Sequence, residues 1–149
     1  MTATAHSSRG ARAPMATTAL DLLDRARASL LEACRAGSVG ERYVAAHLAA
    51  LRTAAALLAA RSKPARRSRP RSVWEVLPDV APELTEWAVF FAASAQRRAA
   101  VERDALVVGT READDLLRQA EIFLGLVQAA LGLPLSCPLP ELVAPAGRQ

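Results

Sequence analysis

The densest chemistry in the sequence is cationic. Arg61, Lys63, Arg66, Arg67, Arg69 and Arg71 follow one another with no carboxylate among them. Guanidinium forks match phosphate oxygens and stack on unpaired bases, so these six are the candidate nucleic-acid contacts. No aromatic residue is interleaved with them, and Trp74 is the nearest. A base-stacking platform is therefore thinly furnished, and the competing reading is a solvated arginine-rich loop. Glu112, Asp114, Asp115 and Glu121 invite a metal reading, because Asp114 and Glu121 sit two turns apart on one helix face. A di-metal bundle needs Glu-x-x-His pairs on facing helices, which the sequence lacks. Acids in a first helical turn are ordinary complements to the helix dipole. Neither a metal nor another cofactor is expected. Cys34 and Cys137 lie far apart without a C-x-x-C spacing, so a reducing, cytoplasmic setting fits best.

The elements that must position these groups are bounded by length and composition. A chain of 149 residues is one domain, and it is long enough to bury a core. Its 52% apolar fraction is built largely from alanine, with 4% aromatic residues, which is helix-forming material. Seven glycines leave few places for a backbone loop that wraps phosphates. The formal charge of +4 is unevenly spread: residues 1–71 carry 13 bases and 4 acids, and residues 72–149 carry 6 bases and 11 acids. The longest apolar run, over 43–60, is interrupted by His47 and Arg52, short of the ~20 residues that span a bilayer.

Apolar spacing predicts four helices. The first covers about 17–36, with Ala19, Leu23, Ala26, Leu30 and Ala33 inward and Gly37 as a left-handed stop. The second starts at the Ser38/Glu41 capping-box spacing and runs to about 61 through Val44, Leu48, Leu51, Ala55 and Leu58. So short a turn makes these two antiparallel. A crossover over 61–72 holds two prolines and the basic cluster, and Ser72 with Glu75 caps a single turn ending before Pro78. The third helix, about 80–104, points Leu84, Trp87, Ala88, Phe91, Ala95 and Ala99 inward, and Trp87, Phe90, Phe91 and Phe123 read as core. The fourth, about 111–131, buries Ala113, Leu116, Leu117, Ala120, Phe123, Leu124, Val127 and Leu131, and Gly132 ends it. Over 122–133 it is apolar nearly all round, which calls for a second covered surface. Self-association through Phe123, Leu124, Val127 and Leu131 would cover it. Residues 1–16 read as a disordered tail, 17–133 as the bundle, and 134–149 as a Pro-containing tail.

The stretches ERYVAAHLAALRTAAALLAARSKP, over 41–64, and READDLLRQAEIFLGLVQAALGLP, over 111–134, resemble an actinobacterial branch of the HEPN family of small helical domains. The likeness covers about 17–134. It implies an all-α, up-and-down four-helix bundle that dimerises. It also implies engagement of RNA or a nucleotide, with metal-independent endoribonuclease activity in the catalytic branch. That branch carries an Arg and, four to six residues on, a His, and Arg42 and His47 are the match here. They stand in the second helix, where the family places the pair in the last. Acting as a pair, His47 would shuttle a proton at a ribose 2′-hydroxyl and Arg42 would stabilise charge on the phosphate. Five residues at about 100° each separate the two by some 140° around a helix. The alternative is a non-catalytic homodimeric scaffold or adaptor that binds another protein.

Overall fold

The fold, a computed structural model, describes residues 7–61, 71–135 and 137–140, and side chains from residue 17 onward. It is all-helical: α1 (Ser7–Arg35), α2 (Val39–Arg61), α3 (Val73–Val80), a single 3-10 turn (Pro82–Leu84), α4 (Thr85–Glu102) and α5 (Thr110–Ala130). Four of the six cations of the crossover, Lys63, Arg66, Arg67 and Arg69, lie outside the described residues.

Cross-helix contacts set the directions. Arg52 donates to Ser29 at 2.6 Å and Arg42 to the carbonyl of Ala33 at 3.1 Å, so α1 and α2 run antiparallel. Arg42 meets Asp114 at one end of α2, and Arg61 meets the carbonyl of Ala130 at the other, so α5 runs parallel to α2. His47 against Ser94, and Tyr43 against Arg97, make α4 antiparallel to α2. Helix α2 is thus central, touching α1, α3, α4 and α5. By length and composition it could cross a membrane, yet half of its apolar window is buried inside the fold.

The inner stripes expected of α1 and α5 are the buried ones. Ala19, Leu23, Ala26, Leu30 and Ala33 are core, as are Ala113, Leu116, Leu117, Ala120, Phe123, Leu124 and Val127. Helix α2 differs: Val44, Leu48, Leu51, Ala55 and Leu58 are half-buried, while Tyr43, Ala46, His47, Ala50, Thr53, Ala54 and Leu57 are sealed. A helix packed on several sides has no single stripe, and its alanines let the neighbours approach closely.

Three boundaries move. Helix α1 starts at Ser7, ten residues before the expected helix start at Thr17, in a stretch rich in helix-forming Ala and Arg. The expected single turn is the two-turn helix α3, which continues through Pro78 because burial of Trp74 and Leu77 outweighs one missing amide donor. The following helix therefore begins at Thr85 rather than near residue 80. Both expected capping pairs are in place: Ser72 and Glu75 close a full capping box, and Ser38 Oγ accepts from the amide of Glu41 at 3.1 Å. Gly37 does not adopt a left-handed conformation; its amide donates to the Glu41 carboxylate at 3.2 Å. Gly132 does, at φ +69°, and the Leu133 amide reaches back to the carbonyl of Gln128 at 2.9 Å, the bond that closes a helix end. Beyond it, the Leu139 amide donates to Glu121 at 2.8 Å and the side chain packs on the core, so this part of the expected tail is docked against α5.

Candidate functional site

The structure does not bring Arg42 and His47 together. His47 belongs to the buried face of α2 and is 1% exposed. Its ring meets Trp74 edge-on, with centroids 5.8 Å apart, and its Nδ1 lies 2.7 Å from Oγ of Ser94. Ser94 Oγ also donates to the carbonyl of Phe91, at 3.0 Å. With the hydroxyl proton so committed, Nδ1 carries the ring proton and donates to Ser94. Burial pushes the imidazole down to about 4, and the nearby Arg98 guanidinium adds to the effect. At neutral pH His47 is an uncharged core side chain.

Arg42 has other partners. Its guanidinium lies 2.5 Å from the Asp114 carboxylate, and its Nε donates to the carbonyl of Ala33. It thereby ties α2 to the end of α1 and to the first turns of α5. A buried neutral imidazole and a guanidinium held by a carboxylate leave no shared reacting point between them.

The four carboxylates that invite a metal reading are spent separately. Glu112 pairs with Arg97, Asp114 with Arg42, Asp115 with Arg118, and Glu121 accepts from Leu139. Among the described residues no three His, Cys, Asp or Glu side chains converge on one point. Cys34 is half-buried, its thiol pushed up by burial and then by Glu121, and Cys137 is exposed. Of the basic crossover, Arg61 pairs with Glu83 at 3.4 Å and Arg71 with Asp79 at 2.9 Å.

Three of the four residues expected to associate are buried within the chain. Phe123, Leu124 and Val127 are inside the chain's own core, and Leu131 packs half-buried at its edge. Phe123 is 5.1 Å from Phe91 and 5.6 Å from Trp87, ring centre to ring centre, and these contacts join α5 to α4. The large apolar side chains that α5 leaves open are Ile122, 44% exposed, and Leu126, 41% exposed.

A cleft of about 540 Å³ opens between α4 and α5 beside Tyr43 of α2. Phe90, Ala93 and Arg97 form one wall; Arg111, Glu112, Asp115 and Leu116 form the other; Ser94 lies at the base. Arg97 and Glu112 bridge the walls with a two-pronged ion pair, and Arg97 also bonds the Tyr43 hydroxyl. Burial, with the Glu112 charge adding to it, holds that phenol above its ordinary value. Phe90, expected in the core, is 44% exposed at the mouth and touches Phe91 edge-on at 5.0 Å.

A family model, HEPN_SAV_6107, described as SAV_6107-like HEPN, matches residues 33–128. The chain belongs to this HEPN family. The match spans α2 to α5, including His47, Arg42 and both walls of the cleft. No curated protein and no solved structure matches the chain. Within this HEPN domain the residues that sequence reasoning missed are Ser94, Trp74, Tyr43 and Arg97. Their partners are distant in sequence, and no local spacing signals a contact between α2 and α4.

Proposed function

We propose that this HEPN chain is a non-catalytic adaptor that works by association, with α1, α2, α4 and α5 as an up-and-down four-helix bundle. The observation that carries the reading is the burial of His47. A general base must reach the proton it abstracts, and a ring enclosed by Trp74 and Ser94 reaches no 2′-hydroxyl. Its depressed basicity also removes the protonated form that would assist a leaving group near neutrality. Arg42 is a helix-to-helix tie rather than a phosphate ligand.

Association between two copies uses the open side of α5. Ile122 and Leu126 are one turn apart and exposed, and Gln119 and Asp115 continue their row toward the cleft. This arrangement keeps the core of each copy intact, whereas pairing through Phe123, Leu124 and Val127 would require opening it.

The test is incubation of the purified protein with mixed RNA in EDTA, beside His47→Ala and Arg42→Ala. The expected result is intact RNA in all three. Cleavage by the parent that both substitutions abolish would overturn the reading and restore the pair as a catalytic centre.

A further inference from the structure

The cleft between α4 and α5 carries a chemistry that the adaptor reading does not use. Its volume, about 540 Å³, lies within the range of small-molecule sites, roughly 300–1,000 Å³. Phe90, Ala93 and Leu116 supply apolar walls, and Phe90 stays half in the open although the aromatic cluster beside it is closed. The Arg97–Glu112 ion pair joins the two walls.

The charges lining the cleft are almost all matched. Arg97 is neutralised by Glu112, and Asp115 lies 3.3 Å from Arg118. The exception is Arg111: it lines the cleft, is exposed, and has no ion pair or hydrogen bond to any described residue. It sits in the first turn of α5, where a positive charge opposes the helix dipole, so helix stability does not account for it. The neighbouring Gly109 is extended at φ −79°, and a Cβ there would meet nothing within 4 Å. Neither backbone strain nor crowding requires glycine at that position; the space beside Arg111 is simply open.

We infer that the α4/α5 cleft binds a small organic anion with a planar apolar body, the body against Phe90 and Ala93 and the acid on Arg111. The site goes beyond the adaptor reading and stands whether or not RNA is cleaved.

Anilinonaphthalene sulfonate is a suitable probe, titrated by fluorescence against its uncharged parent, N-phenyl-1-naphthylamine. The expected result is one saturable site that prefers the sulfonate at least about tenfold, with Arg111→Glu weakening it about tenfold or more and Phe90→Ala several-fold. Gly109→Asp is the variant that must fold, since it adds a helix cap without a clash; it should melt no lower than the parent yet lose the sulfonate about tenfold. Gly109→Ser adds a cap without charge and should keep it. Equal binding of the two dyes, or unchanged binding by Arg111→Glu, would overturn the assignment. So would loss of binding through Ile122→Asp with the cleft variants unaffected, which would place the dye on the association face.

Discussion

Nδ1 of His47 lies 2.7 Å from Oγ of Ser94, inside the core, between α2 and α4. The contact makes the histidine a packing element with one defined hydrogen bond. Its energetic consequence appears in the pH dependence of folding. The folded-state value is depressed to about 4 from 6.5 by burial, so between these values the unfolded chain binds the proton that the folded chain refuses. The contribution is complete above 6.5 and is lost as pH falls toward 4.

Chemical denaturation at a series of pH values should therefore show stability falling below 6.5, by up to about 3 kcal/mol from this one residue. His47→Leu should flatten that limb, because it removes the titrating group. An acid limb of unchanged depth in His47→Leu would assign the loss to other groups.

Ser94→Ala leaves Nδ1–H of His47 without its acceptor in a buried site. A destabilisation of about 1–3 kcal/mol is expected in denaturant melts. The double variant His47→Leu/Ser94→Ala should cost less than the sum of its parts, since both partners are then gone together. Strict additivity would show that the 2.7 Å contact is energetically idle.

Two aspartate substitutions on α5 should behave differently. Leu124 is 2% exposed within its own chain, so Leu124→Asp buries an unpaired charge and should abolish cooperative folding. Ile122→Asp, at an exposed position, should leave the melting transition intact and lower the mass measured by light scattering from dimer to monomer. A folded Ile122→Asp of unchanged mass would remove this face from the association.

Arg42 and Asp114 are partly exposed, and their ion pair joins α2 to α5. Arg42→Ala should cost about 1 kcal/mol, including the lost bond to Ala33. Exchanging the charges, Arg42→Asp with Asp114→Arg, should recover part of it. A melting point unmoved by Arg42→Ala would make the tie incidental.

Much of the fold is legible in the residue pattern. Helices α1 and α5 each turn one apolar face inward, so period alone picks out Leu23, Leu30, Leu116 and Phe123. Gly132 and the Ser72/Glu75 box are local signals, and both act where they stand. Helix α2 is surrounded, so ranking its residues by apolar size selects Leu48 and Leu51, while packing selects Ala46, Ala50 and His47. Pro78 argues for a stop that the burial of Trp74 overrides. The cleft is illegible in sequence because its lining comes from three helices that are distant along the chain. Phe90 looks like core by type, and the pairing of Arg97 with Tyr43 and Glu112 is visible only in three dimensions.

A non-catalytic role for this chain stands or falls with a neutral, enclosed His47, and NMR titration of its imidazole is the decisive measurement. The ring should stay neutral through the range near pH 7 and titrate with a midpoint near 4. A midpoint near 6.5 would contradict that role, because it would mean a solvated ring free to exchange protons with a substrate.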